Sequence, residues 1–262
     1  IPHALMRYED AQIKELSSKT LNDLLNALRE TLQLVVTGSP HAANLDIRDV
    51  IDELRLNIAS MLLVCSQLQK RYLGLSMIKD TLDTLLPRLD NYVTKRYNSI
   101  GVARAVRSPP IRPASTVASS ASRITVHFMD KWLVDQNVLE TLFGESLHQD
   151  LVAKSDVLLL YMASRKVLTE RHIDLIWNAS LGVHEAVVRV LHQLLVLIVP
   201  VLGTSLRNYL FSLMAALPCK DYTEQILQLI KAYTKQALIA SKDDNAENKA
   251  SSTSASEANP IG

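Results

Sequence analysis

Leucine and other aliphatic residues recur along most of this chain at the spacing of one helix face. An α-helix completes a turn in about 3.6 residues, so apolar positions three, four and seven apart lie on the same side. The first such stripe consists of Leu21, Leu24, Leu25, Leu28, Leu32 and Val35. Aromatic residues make up only 5% of the chain and glycine occurs 7 times, which disfavours sheets and their turns. The pattern therefore predicts an all-α protein.

Glycine and proline interrupt the periodic segments at short intervals, for example at Gly38, Gly144, Gly182 and Pro218. Helices of about 10 to 20 residues with short breaks are typical of stacked helical hairpins. No strict sequence period is visible, which argues against tetratricopeptide and ankyrin arrays. We expect an irregular armadillo- or HEAT-like helical-hairpin solenoid, with an N-terminal helical unit over 1–98 and a C-terminal helical-repeat unit over 124–241.

Two segments lack this periodicity. Residues 99–123 are rich in Ser, Pro, Ala and Arg and read as a flexible linker, and residues 242–262 read as a disordered tail. The linker contains four arginines, Arg104, Arg107, Arg112 and Arg123. These arginines could contact phosphate groups or an acidic partner. Alternatively, the segment is a solvated basic spacer, since no aromatic residue lies between the charges. Ser108 precedes a proline and is a candidate phosphorylation site, although such dipeptides are common in disordered chain.

The net charge and the hydropathy of the chain argue against nucleic acid and membranes as partners. The 28 Lys and Arg residues nearly cancel the 27 Asp and Glu residues, so no global field favours nucleic acid or an anionic membrane. The most apolar run, 194–202, has about half of the roughly 20 residues that a membrane span needs and contains Pro200. We interpret this run as a buried helix and expect neither nucleic acid nor a membrane as partner.

No constellation for metal, cofactor or small-molecule chemistry is apparent. Nucleotide, phosphate and hydrolase motifs are absent. The seven histidines are scattered: His3, His41, His127, His148, His172, His184 and His192. His184 and His192 could share a helix face, but Val188 between them cannot bind a metal. Trp132 and Trp177 suit either ligand stacking or a helical core, and their aliphatic neighbours favour the core.

Two cysteines, far apart, argue against a disulfide framework. The periodicity places Cys65 on the apolar stripe of a helix, where a thiol is a core residue. Cys219 lies next to Lys220, whose charge would favour a thiolate, so it is the one candidate nucleophile worth testing. With no histidine near it in sequence, we predict no catalytic, cofactor-binding or metal-binding residues in this chain.

Residues 129–195 contain the elements KWLVDQNVLE, ESLHQ, LTERHIDLIW and HEAVVRVLHQLL, in that order. Their sequence and spacing resemble the helical region upstream of the protease domain in fat-facets-type ubiquitin-specific proteases. The segment QLQKRYLGLSMIKD, 67–80, resembles the helix that precedes this block. The resemblance covers 124–200 strongly and 46–97 less closely, and the linker departs from it as an insertion.

The resemblance implies armadillo-like repeats and a parent enzyme that removes ubiquitin with a cysteine nucleophile. The cysteine box with its GNTCY-like core and the histidine box are both absent here, so only the helical scaffold carries over. Two functions stay open: a non-catalytic scaffold segment of a large deubiquitinase, or a free-standing helical adaptor with no protease. Either one implies protein partners, and whether the chain forms part of an enzyme is left undecided.

The N-terminal sequence IPHALMRYEDAQIKEL has no basic segment followed by an apolar one, and it has no initiator Met. We expect no signal peptide, a cytoplasmic or possibly nuclear location, and an origin as an internal piece of a longer chain.

Overall fold

The structure, a computed structural model, describes residues 15–38, 47–85 and 124–256. All regular secondary structure in these ranges is helical, and they contain no strand. The all-α prediction is therefore confirmed. The chain forms two compact units, residues 1–151 and 152–262.

The first unit contains five complete helices within the described ranges. They are α1 (Ser18–Gly38), α2 (Ile47–Leu63), α3 (Leu68–Leu85), α4 (Val126–Asp135) and α5 (Val138–Phe143). A short helix, α6 (Gln149–Ala153), lies at the boundary between the units. Helix α1 ends at Gly38, the residue at which the sequence predicts its stop. Helices α2 and α3 pack against each other most extensively, and α1 contacts both of them.

The close packing of α2 on α3 depends on Gly74. A Cβ atom at this position would lie 2.7 Å from the carbonyl oxygen of Ala59 and 3.1 Å from the Cβ of Leu62. Ala59 is fully buried on α2, so its backbone has little room to move. The absence of a side chain at Gly74 therefore allows the two helix backbones to approach each other.

Arg71, on α3, connects three separate parts of the first unit. Its Nε donates to the carbonyl of Leu63 at 3.0 Å, and its two terminal nitrogens donate to the carbonyls of Ser146 at 2.6 Å and Thr141 at 3.1 Å. Leu63 ends α2 and Thr141 lies in the last turn of α5, where backbone carbonyls have no partner within the helix. Burial lowers the pKa of the guanidinium from its ordinary value. The cation is nevertheless favoured at these sites because helix C-termini carry partial negative charge.

Helices α4 and α5 belong to the first compact unit, 1–151. Arg71 joins α3 to carbonyls that lie about seventy positions further along the chain. The units of 1–98 and 124–241 expected from the sequence stay a prediction. The predicted linker, 99–123, lies outside the described residues and stays a prediction.

The second unit contains five helices and two short 3-10 turns within the described ranges. The helices are α7 (Asp156–Ser164), α8 (Glu170–Ala179), α9 (Glu185–Ile198), α10 (Thr204–Ala215) and α11 (Glu224–Ser256). The 3-10 turns are Val199–Val201 and Cys219–Asp221. The buried face of α11 packs on α9 and on the 3-10 turn 199–201. None of the described helices is long and apolar enough to cross a membrane.

Three helix boundaries differ from the sequence prediction. The apolar stripe of Leu151, Val157, Leu158 and Tyr161 predicts one helix over 147–164. The structure has two helices there, α6 and α7, separated at Lys154 and Ser155 without any glycine or proline. The apolar run 194–202 is expected to end a single buried helix that begins at His184. The observed helix α9 stops at Ile198, because Pro200 lacks the amide that would continue its hydrogen bonds.

The third difference concerns the predicted tail, 242–262. Helix α11 continues to Ser256 instead of ending at residue 241. The sequence contains no glycine or proline between 224 and 256, so nothing in it stops the helix, even though the segment has few apolar residues.

The second unit buries an aromatic pair in its core. The rings of Trp177 on α8 and His192 on α9 are stacked, with centroids 6.4 Å apart and planes at 14°. Both residues are buried, and the Nε2 atom of His192 has no hydrogen-bond partner among the described residues. Burial lowers the pKa of His192, because a charged imidazole here would be desolvated. The predicted core position of Trp177 is confirmed.

Tyrosine hydroxyls join the later helices of this unit. Tyr233 of α11 donates to the carbonyl of Arg207 on α10 at 2.8 Å. Tyr209 of α10 donates to a carboxylate oxygen of Asp174 on α8 at 2.7 Å. Each hydroxyl thus links its helix to another helix of the same unit.

Replacing Gly74 with alanine is expected to destabilise the first unit. In an unconstrained helix this change stabilises by about 1 kcal/mol. Here the new methyl group overlaps the backbone of Ala59, so we expect a net loss of about 1–3 kcal/mol in the free energy of unfolding. Urea denaturation followed by circular dichroism measures it. Ser76→Ala, at an exposed position of the same helix, is the control and should change little. A Gly74→Ala protein as stable as the wild type would contradict the close approach.

The stability of the second unit is expected to fall in mild acid. The pKa of His192 is lower in the folded protein than its ordinary value of 6.5, so the unfolded chain takes up the proton first. Above the ordinary pKa of histidine, protonation of His192 does not reduce the free energy of unfolding. As the pH falls below that pKa, the free energy of unfolding declines by at most about 1.4 kcal/mol per pH unit.

Urea denaturation at pH 7 and pH 5 tests this expectation. His192→Leu should reduce the difference between the two pH values, while His127→Gln, at an exposed position of α4, should leave it unchanged. An identical pH dependence in His192→Leu and wild type would show that another group is responsible.

Candidate functional site

Cys65 lies two residues after the end of α2 and is buried, as predicted. Its relative exposure is 9%, and its thiol donates to the carbonyl of Met61 at 3.6 Å. A thiol in this position is shielded from a protein substrate, and its hydrogen bond is directed to α2. Cys65 is therefore a packing residue.

Cys219 is exposed and opens the short 3-10 turn Cys219–Asp221, directly after Pro218. Lys220 follows it, as the sequence shows. No hydrogen bond or ion pair joins Cys219 to a histidine in the part of the chain that the structure describes. A cysteine protease requires a histidine in contact with the thiol and a third group to orient that histidine, so Cys219 lacks the partners of a catalytic nucleophile there.

Four of the described histidines serve at helix starts or in the core, namely His148, His172, His184 and His192. The Nδ1 atom of His172 accepts from the amide of Thr169 at 3.1 Å, which caps the start of α8. His184 is the N-cap of α9, and His148 accepts from a backbone amide at 3.3 Å. His192 is stacked on a tryptophan in the core. Within the described ranges, no group of three or more His, Cys, Asp or Glu residues is placed to hold a metal ion.

Both tryptophans are core residues. Trp132 has a relative exposure of 7% and Trp177 of 5%. Neither ring is open to a ligand, so the core interpretation from the sequence is confirmed. The predicted contacts of the arginines 104, 107, 112 and 123 and the phosphorylation of Ser108 concern residues outside the described ranges.

Exposed apolar side chains are the remaining candidates for function, and on α11 the sequence interpretation was wrong. The helical spacing in the sequence predicts a single core-facing stripe of Ile226, Leu227, Ile230, Tyr233 and Leu238. The structure buries Ile226 and Tyr233 but leaves Leu227 and Leu238 exposed by 55% and 59%. The helix buries its 226, 229, 233, 236 and 240 positions, so these two leucines lie on the opposite side.

Lysine side chains lie on the same side of α11 as these leucines. Lys231, Lys235 and Lys242 are exposed, and they share the helical spacing of Leu227 and Leu238. We call these five residues the α11 face.

Comparison with known proteins gives matches to large ubiquitin-specific proteases. Ubiquitin carboxyl-terminal hydrolase 34 of Homo sapiens is 26% identical over 241 residues, which cover 90% of this chain and 6% of that protein. Ubiquitin carboxyl-terminal hydrolase 9Y of Homo sapiens is 31% identical over 112 residues, 41% of this chain and 4% of that protein. The probable ubiquitin carboxyl-terminal hydrolase FAF of Drosophila melanogaster is 25% identical over 190 residues, 72% of this chain and 6% of that protein.

The chain thus spans only a small part of the length of these relatives. No solved structure matches it significantly. The family described as the UBP24/USP9X/USP9Y ARM repeat matches residues 49–242, which include helices of both units and extend beyond the region of resemblance seen in the sequence. With most of its length matched by that family and all its described structure helical, the chain belongs to the UBP24/USP9X/USP9Y ARM-repeat family.

Proposed function

We propose that this chain is a non-catalytic helical-repeat segment of a large ubiquitin-specific protease and that it serves protein–protein interaction. The observation that carries the proposal is the family match over residues 49–242, together with relatives that are themselves ubiquitin carboxyl-terminal hydrolases. The catalytic activity would then belong to another part of a longer parent protein.

The polar side chains of the described residues support a structural rather than a chemical role. Arg71 binds helix-end carbonyls, His172 and His184 cap helices, and the hydroxyl of Tyr233 joins two helices. Each of these groups is committed to holding the helices in place. A catalytic site instead needs polar groups that converge on a space open to substrate.

The interaction role rests on the surface that this framework presents. Helical repeats provide long, rigid surfaces, and this chain exposes large apolar residues on several helices of both units, including Leu34 on α1 and Val134 on α4. Proteins of the ubiquitin pathway, either substrates or regulators, are the partners that we propose. The cytoplasmic or nuclear location expected from the sequence remains a prediction.

The full coding sequence that contains this segment tests the proposal. We expect it to encode, further along the chain, a protease domain with a cysteine box and a histidine box. A transcript that encodes these helices but no protease domain would contradict the proposal and favour a free-standing helical adaptor.

The isolated chain is expected to have no deubiquitinase activity. Incubation with ubiquitin bearing a C-terminal electrophile should give no covalent adduct, because Cys65 is buried and no histidine of the described ranges is bonded to Cys219. Mass spectrometry of the intact protein detects an adduct directly. Cys219→Ser is the matched control, since it removes the exposed thiol and leaves Cys65 in place. An adduct that forms with wild type and is lost in Cys219→Ser would contradict the scaffold assignment.

A further inference from the structure

One side of helix α11 combines exposed leucines with an excess of positive charge. The α11 face consists of Leu227, Lys231, Lys235, Leu238 and Lys242, all of them exposed. The two leucines are eleven positions apart, which is about 16 Å along a helix. They therefore form two separate apolar contacts, with lysines between and beside them.

The opposite side of α11 is already used by the fold. Leu229, Tyr233, Gln236 and Ala240 are buried there, where α11 packs on α9 and the 3-10 turn 199–201. Tyr233 is also fixed by its hydrogen bond to α10. The orientation of the helix is thus determined by the core of the second unit, and the α11 face is held outward on a rigid support.

The lysines of the α11 face lie in the part of the helix, 224–242, that is poor in acidic residues, and Asp243, Asp244 and Glu247 follow it in the same helix. Lys231, Lys235 and Lys242 form no ion pair with any residue in the described ranges. Between 224 and 242 the helix contains a single acidic residue, Glu224, whose carboxylate accepts a hydrogen bond from Gln228 at 3.1 Å. The α11 face therefore carries three positive charges beside two apolar contacts.

These features distinguish among possible occupants. A further packed helical repeat would bury the lysines against apolar side chains, and the desolvation of unpaired ammonium groups is costly. A membrane surface favours a wide apolar face with aromatic residues, whereas this face has only two leucines. A partner helix with acidic residues beside apolar ones satisfies both the lysines and the leucines.

We propose that the α11 face is a docking site for an acidic amphipathic helix of a partner protein. The proposal rests on the interaction function proposed above and assigns it a surface and a partner chemistry. The partner helix inserts apolar side chains beside Leu227 and Leu238, and its Glu or Asp residues lie opposite Lys231, Lys235 and Lys242. The leucines supply most of the affinity, and the charges determine the orientation and exclude basic helices.

A pair of synthetic peptides tests this proposal with the full 262-residue chain. One fluorescein-labelled helix of about five turns carries leucines eleven positions apart and glutamates around them. Its twin carries lysines in place of the glutamates. In fluorescence anisotropy at low salt, we expect the acidic peptide to bind at least about tenfold more tightly than its twin, and the difference to shrink as salt is added.

Substitutions on the α11 face identify the site of binding. Leu227→Ser with Leu238→Ser should weaken binding of the acidic peptide by at least about tenfold. Lys231→Glu with Lys235→Glu should reverse the preference in favour of the lysine peptide. Leu181→Ser and Lys220→Glu, exposed positions elsewhere in the second unit, are the matched controls and should bind like wild type. All the substituted positions are exposed, so unchanged thermal unfolding is expected and confirms that each variant is folded.

Equal affinity for the two peptides, or equal binding by the leucine double variant and wild type, would overturn the proposal. Sedimentation with phosphatidylserine vesicles but no binding of the acidic peptide would overturn it in favour of a membrane surface. The proposed scaffold function fails by different results, namely the absence of an encoded protease domain or a ubiquitin adduct at Cys219. A failure of the α11 face is therefore distinguishable from a failure of the function on which it rests.

Discussion

The first unit depends on a buried guanidinium that satisfies helix ends. Arg71 binds carbonyls at the end of α2, in the last turn of α5 and in the loop that follows α5. A guanidinium suits this task because it presents several N–H donors in a fixed plane, whereas a lysine presents a single ammonium group. The interaction joins helices that lie on both sides of residues 86–123. It therefore makes a continuous structural unit of segments that are remote in the sequence.

The second unit uses the same principle with other residues. The hydroxyls of Tyr209 and Tyr233 join neighbouring helices, and His172 and His184 cap helix starts. Polar groups that would attract attention as catalytic candidates are thus occupied in fixing the helices. These contacts lie within an ARM-repeat chain that matches a small fraction of the length of ubiquitin carboxyl-terminal hydrolase 34.

The sequence predicts the fold class and most helices, because apolar periodicity records which side of each helix is buried. It locates the end of α1 at Gly38 and the core position of Trp177. It does not reveal the break at Ser155, which no glycine or proline marks. The partners of Arg71 are equally hidden, since they are backbone atoms far along the chain. The exposure of Leu227 and Leu238 depends on which neighbours pack on α11, and leucine alone does not indicate this.

The most direct test of this account is the effect of Arg71 on stability. Arg71→Met replaces the guanidinium with an unbranched apolar side chain that has no N–H donor. The carbonyls of Leu63, Ser146 and Thr141 then lose the hydrogen bonds that they accept from Arg71. The account predicts a loss of about 2–4 kcal/mol in the free energy of unfolding. Arg55→Met is the control, because within the described ranges Arg55 forms a single 3.6 Å ion pair, with the exposed Asp80, and its loss should cost less than about 1 kcal/mol. Equal losses in the two variants would contradict the claim that a buried guanidinium organises the first unit.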